Sequence, residues 1–205
     1  MRVLELFKGS GSITKYYQDT DTEVVSLDIL EKYKPTICCD IVDFDYKQYE
    51  VGYFDIIWGS PECKVYSSIN IMNIGENQKY KTKEHLLEIQ KRDSIFINRT
   101  IEIIEYLKPK YYFIENPQLS AIWKYIDNEE YKSKYILVDY CYFGYEYKKP
   151  TKILTNKILL NKRCSCKNHK KVICSTHKGD IRENHNRLLE QKYSIPQPLL
   201  KYLLD

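Results

Sequence analysis

Short apolar runs separated by longer mixed segments recur along the first 120 residues, a pattern that predicts strands interleaved with helices. The run "RVLELF" (2–7) stops at "KGSGS", which reads as strand, glycine turn and a helix opening near Ser12 or Ile13. Further strands are predicted at "EVVSLDI" (23–29), at "TICC" (36–39), which Asp40 closes, at "YFDIIWG" (53–59) and at "YYFIENP" (111–117). From Thr82 to Leu107 the apolar residues Leu86, Ile89, Phe96, Ile97, Ile101 and Ile104 share one helical face, which predicts one long amphipathic helix ended by Pro109. The polar stretch 64–82 is too long for a compact connection and predicts a lid or binding loop. Later, "SKYILVDYCYFGYEYKKPTKILTNKILL" holds two or three strand-like runs broken by Gly144 and Pro150, and the tail "RLLEQKYSIPQPLLKYLLD" ends in a helix.

Strands that are apolar throughout need cover on both faces, so the pattern predicts a mostly parallel α/β sheet with helices on both sides. In such sheets ligands gather at the carboxyl ends of the strands. The residues that fall there are Glu5, Gly9, Gly11, Asp28, Asp40, Cys63, Glu115 and Asn116.

Composition narrows the setting. A chain of 205 residues supports one good-sized core, and no apolar stretch reaches the length of a membrane span. The start "MRVLELFKGS" lacks the features of a secretion signal, which predicts an intracellular, soluble protein without a membrane partner. Seven cysteines, without framework-like spacing over the first 160 residues, predict reduced thiols; Cys38, Cys39 and Cys141 read as small buried residues. The net charge is only +4, but residues 146–182 carry eleven Lys or Arg against two acids. This stripe suits contact with phosphates, although a solvated loop in a lysine-rich protein would look the same.

The glycine turn after the first strand lets backbone amides approach a ligand, though a tight turn alone would also explain it. Asp28, at the end of the second strand, is placed to accept hydrogen bonds from ribose hydroxyls, and Asp40 to meet the base of the same nucleoside. Thr14 stands where a third glycine would complete a dinucleotide fingerprint, so a mononucleoside ligand such as S-adenosylmethionine fits better.

"LELFKGSGS" (4–12), "SPEC" (60–63), "IENP" (114–117) and "CYFGYEYKKPTKILTN" (141–156) resemble, in order, the motifs of the C5-cytosine DNA methyltransferases, above all the short versions of phages and large DNA viruses. A weaker echo of the family's closing motif lies in "KYSIPQPLL" (192–200). The resemblance implies a Rossmann-like, class I S-adenosylmethionine-dependent methyltransferase fold. It implies a catalytic domain over 1–145, a small basic target-recognition lobe over 146–185, and a C-terminal helix over 186–205 returning to the catalytic domain. It implies S-adenosylmethionine as cofactor, held by Glu5, Phe7, Gly9, Gly11, Ser12, Asp28, Ile29, Asp40, Ile41, Ser60 and Pro61. Duplex DNA with a flipped cytosine would be the substrate, contacted by Lys148, Lys149 and Thr151. Cys63 matches the nucleophile that adds to cytosine C6, Glu115 the carboxyl that serves N3, and Asn116 a residue holding the loop or the base. If the chain is viral, it would act in the host cytoplasm or nucleus.

Several residues depart from the family pattern. Glu62 replaces a proline beside Cys63, and a carboxylate there would disfavour the thiolate unless it turns away or pairs with Lys64. Lys148 and Lys149 stand where arginines are usual and lack the bidentate fork. About 35 residues remain for target recognition, which predicts a short or lax recognition sequence or dependence on a protein partner. Within them Cys164, Cys166, His169, Cys174 and His177 could hold a zinc ion, or form a metal-free loop. The competing functions are an RNA cytosine-5 methyltransferase and a weak or silent nucleic-acid-binding relative. An amino-methyltransferase ranks last, because "SPEC" lacks the aromatic that chemistry requires.

Overall fold

The computed structural model describes residues 1–145, 148–165 and 193–205. Seven strands form one sheet in the order β3-β2-β1-β4-β5-β7-β6. These are β1 (Arg2–Leu6), β2 (Glu23–Asp28), β3 (Ile37–Cys38), β4 (Ile56–Gly59), β5 (Tyr111–Pro117), β6 (Tyr135–Asp139) and β7 (Pro150–Thr155). Only β7 is reversed: it pairs antiparallel with β5 and with β6, while the pairs from β3 through β5 are all parallel. The amino end of β7 therefore lies at the edge where the other strands finish.

Alternate side chains divide the core into two layers, as the two-residue period of a strand requires. On one face Leu4, Leu6, Ile57, Tyr112, Ile114 and Leu154 pack with Ile97, Ile101, Ile104 and Leu107 of helix α3 (Ile95–Leu107). On the other, Val3, Ile56, Trp58, Phe113 and Ile153 meet Ile13 and Tyr17 of α1 (Ser12–Tyr17) and Leu199, Leu200 and Leu203 of the C-terminal helix Gln197–Leu204. Gly59 lies so close beneath α3 that a Cβ would come 2.9 Å from Thr100 Cγ2, so only glycine fits there.

The single helix expected over 82–107 is two: α2 (Lys83–Asp93) and α3 (Ile95–Leu107). Ser94 interrupts them, its hydroxyl donating to Lys91 O at 2.7 Å, a local bond that competes with helical continuation. Thr82 caps α2 by accepting from His85 N, and Lys108, left-handed at φ 45°, closes α3 ahead of Pro109. The third strand shrinks to two residues at the sheet edge. Within the 146–185 segment, β7 (Pro150–Thr155) joins the sheet between β5 and β6. The stretch 64–82 begins as two 3-10 turns, Lys64–Tyr66 and Ser68–Asn73. Among the described residues no helix is long and apolar enough to cross a membrane.

Candidate active site

The carboxyl edge of the sheet carries two clusters. At the β1–β2 end the chain turns through three left-handed residues, Phe7 (φ 58°), Gly9 (φ 48°) and Gly11 (φ 71°). The conformation at Phe7 is costly for a residue with a Cβ and marks a constrained turn. Asp28, 8 % exposed at the end of β2, accepts from Gly9 N through Oδ2 at 2.9 Å and from Leu30 N through Oδ1 at 2.8 Å. Buried Glu5 reaches across the first turn of α1: Oε1 accepts from Ile13 N at 3.0 Å, and Oε2 from Thr14 N at 3.2 Å and from the Thr14 hydroxyl. Burial pushes the Glu5 carboxyl up, against the pull of those hydrogen bonds and of Lys8.

The tail docks on the same turn. Ser10 donates to Tyr193 O at 2.8 Å, and the Ser12 hydroxyl accepts from Ile195 N at 3.0 Å. Ile29, beyond Asp28, is exposed, and Asp40 is half-buried, accepting from Val42 N at 3.0 Å. Ile41 is different: at 2 % exposure it belongs to the core beside Phe44 and offers no ligand surface.

The donor set decides which ligand this end suits. Two carboxylates at adjacent strand ends repel a phosphate and accept from hydroxyls or cations, and Asp28, with one bond to each oxygen, keeps lone pairs for more. With exposed, apolar Ile29 beside it, the site fits a cationic nucleoside, and S-adenosylmethionine fits that description.

At the β4–β5–β7 end, Cys63 follows β4 through Ser60 and Pro61. The Trp58 indole donates to the Ser60 hydroxyl at 2.9 Å, and Asn116 Nδ2 donates to Pro61 O at 2.8 Å. Asn116 thus ties the turn carrying Cys63 to β5, while its Oδ1 is buried without a partner among the described residues. Beyond Cys63 the chain is pinned at buried Tyr66, which donates to Gln90 O at 2.9 Å. Gln90 Nε2 in turn donates to Val65 O at 2.8 Å. Only farther on, at Ile69, Ile71 and Met72, do apolar side chains stand in solvent.

Cys63 is half-buried, and burial pushes its thiol up. The Glu115 charge adds to that shift, the Lys149 ammonium opposes it, and Glu62 has the smallest part. Glu62 turns outward and pairs with Lys64 at 2.6 Å with both side chains exposed, so the electrostatic burden on Cys63 comes from Glu115 instead. Glu115, 7 % exposed, receives the Tyr140 hydroxyl on Oε1 at 2.9 Å and has Lys149 Nζ 3.4 Å from the same oxygen.

Lys148 lies 3.8 Å from Asp139 Oδ2, a completely buried carboxylate that also has Arg163 Nε at 3.3 Å and accepts from Cys164 N at 2.9 Å. Thr151, expected at a nucleic-acid surface, is fully buried mid-sheet between Pro117 and Val138, its hydroxyl donating to Lys149 O. It supports Lys149 from behind and touches no surface.

Asp139 and Tyr140 escaped sequence reasoning. Both follow the apolar run "YILV", so the strand-end rule would have found them had the limits of that strand been legible. Cys38, Cys39 and Cys141, expected as small buried residues, are less buried than that: Cys38 is exposed, and Cys39 and Cys141 are half-buried. Of the zinc candidates, Cys166, His169, Cys174 and His177 lie outside the described residues. Among the described residues no group of three or more His, Cys, Asp or Glu could hold a metal ion.

No family model matches the chain. Its full length aligns, at 29 % identity and over 99 % of the relative, with a protein named "Probable DNA (cytosine-5)-methyltransferase" from Frog virus 3 (isolate Goorha). Among solved structures it is similar to the Entamoeba histolytica methyltransferase EhMeth, with a TM-score of 0.51, 21 % identity and coverage of 79 % of this chain and 56 % of that one. The S. pombe Dnmt2 methyltransferase gives a TM-score of 0.49 at 14 % identity, covering 78 % of this chain and 52 % of that one. The chain thus spans about half the length of these solved methyltransferases. Motif order and sheet topology agree with these likenesses: the chain carries a methyltransferase fold and is similar along its whole length to a viral protein named as a probable DNA (cytosine-5)-methyltransferase.

Proposed function

We propose that this protein is a DNA (cytosine-5)-methyltransferase. The observation that carries the reading is the convergence on one sheet edge of a thiol, Cys63, and a buried carboxyl, Glu115, whose charge acts on the thiol. S-adenosylmethionine, when bound, supplies an electrophilic methyl group on a sulfonium. Glu5, Phe7, Gly9, Gly11, Ser12, Asp28, Ile29, Asp40, Ser60 and Pro61 are the residues that would surround it.

Cytosine C5 is a poor nucleophile until a thiolate adds to C6. The Cys63 sulfur forms that bond while Glu115 gives a proton to N3, and C5 gains the electron density to take the methyl group. Loss of the C5 proton to a base then lets the thiolate leave, and return of the N3 proton to Glu115 restores the ring. The target base must leave the duplex to reach the pocket. Lys148 and Lys149 support the strand as point charges.

The raised Cys63 thiol favours the neutral form in the resting site, so addition depends on Lys149 and on a neutral Glu115. A protonated Glu115 removes the charge that opposes the thiolate, and both conditions for addition are met together.

The test is methyl transfer from tritiated S-adenosylmethionine to duplex DNA, with tRNA as competitor and Cys63→Ser as control. Label on cytosine C5 and a covalent complex with 5-fluorocytosine DNA are expected from the wild type only. Full activity in Cys63→Ser would sink the mechanism, and preference for tRNA would move the substrate to RNA.

A further inference from the structure

We infer that Tyr140 is a positioning residue that fixes which oxygen of Glu115 carries the working proton, an inference that rests on the function proposed above. Tyr140 is completely buried at the end of β6, and its hydroxyl donates to Glu115 Oε1 at 2.9 Å. Lys149 Nζ lies 3.4 Å from that same oxygen and 4.4 Å from the centre of the Tyr140 ring. Two donors thus converge on Oε1, whereas Oε2 takes no hydrogen bond from a described residue.

A carboxyl oxygen that accepts a hydrogen bond and faces an ammonium acts as the carbonyl-like partner, and the proton settles on the other. Oε2 is therefore the oxygen that delivers it to a base edge. A lysine cannot impose this alone, because its ammonium is one point charge on a flexible stem. The tyrosine supplies the rigid second donor. Its backbone N donates to Lys149 O at 3.3 Å, and the Tyr145 ring packs edge-on against it at 5.6 Å. The strand order makes this pairing: β7 lies between β5 and β6, and the turn into β7 places Lys149 over the gap between Glu115 and Tyr140.

Tyr140→Phe removes one oxygen and keeps the ring. The expected result is a fall in kcat of about ten-fold, with unchanged KM for S-adenosylmethionine and an unchanged melting temperature. Losing a donor from the carboxylate lets Glu115 hold its proton to higher pH, so the alkaline limb of the pH–rate profile, where that proton is lost, moves to higher pH. A kcat and pH profile identical with the wild type would overturn the inference, as would a loss explained wholly by weaker cofactor binding or a lower melting temperature. Should Tyr140→Phe not fold, Tyr140→His puts a titrating donor at the same place, and an unmoved pH profile there is equally fatal. A wild type inactive on every nucleic acid overturns both this inference and the proposed function, whereas an active wild type matched by Tyr140→Phe overturns this inference alone.

Discussion

The two ends of the active edge are built on different physical terms. At the β1–β2 end the polar groups are joined by local bonds: Asp28 to Gly9 and Leu30, and Glu5 to the first turn of α1, all within about thirty residues of chain. At the β4–β5–β7 end, Cys63, Glu115, Tyr140 and Lys149 come from four separate elements and meet only because the sheet brings them together. The first end is set mainly by neighbours in the chain, with the C-terminal tail docked on it through Ser10 and Ser12. The second is held by buried charge and is the more sensitive to substitution.

The sharpest break of this contrast is Glu115→Gln. It should lower kcat by about a thousand-fold, within the range for a lost general acid, while calorimetric affinity for S-adenosylmethionine stays at the wild-type value. Equal losses in kcat and in cofactor affinity would merge the two ends into one unit. Next is Asp139→Ala, which leaves Lys148 and Arg163 facing a vacated buried site. It should cost about 3 kcal/mol in a denaturant titration, and a loss under 1 kcal/mol would show that water screens the cluster.

Asp28→Ala acts at the other end. It removes the anchor of the Gly9 turn and the proposed ribose acceptor, so cofactor affinity should fall about ten-fold or more. Trapping of 5-fluorocytosine DNA at saturating cofactor should survive.

The finest test follows Cys63 itself, by the pH dependence of its alkylation in the absence of DNA. Glu115→Gln removes a charge that raises the thiol, so the midpoint moves to lower pH; Lys149→Met removes one that lowers it, so the midpoint moves to higher pH. Glu62→Gln breaks only an exposed pair with Lys64 and should move the midpoint and the stability least, the latter by under about 0.5 kcal/mol. A Glu62 effect larger than that of Glu115 would reverse the ranking drawn from the structure.

Legibility in the sequence followed the same divide. "YYFIENP" predicted β5 to the residue, because an uninterrupted apolar run ending in polar residues has few alternatives. The glycine turn and Asp28 were readable for a similar reason: their geometry is set by neighbours in the chain. The break at Ser94 was invisible to periodicity, since the apolar stripe continues through it and only a side-chain bond to Lys91 O interrupts the helix. Thr151 was misplaced, because a threonine after "KKP" reads as surface until the strand is known to lie between two others.

The sequence by itself determined the alternation of elements, the strand-end positions of Cys63, Glu115 and Asp28, and the order of motifs that resembles the cytosine methyltransferases. These depend on local periodicity and turn chemistry, which a linear chain displays. Only the tertiary structure decided which charges face the thiol. Glu62, adjacent in sequence, points to Lys64 and solvent, while Glu115, fifty-two residues away, sits buried in its field together with Tyr140 and Lys149. Electrostatic influence follows distance and burial in space, and the insertion of β7 between β5 and β6 sets both.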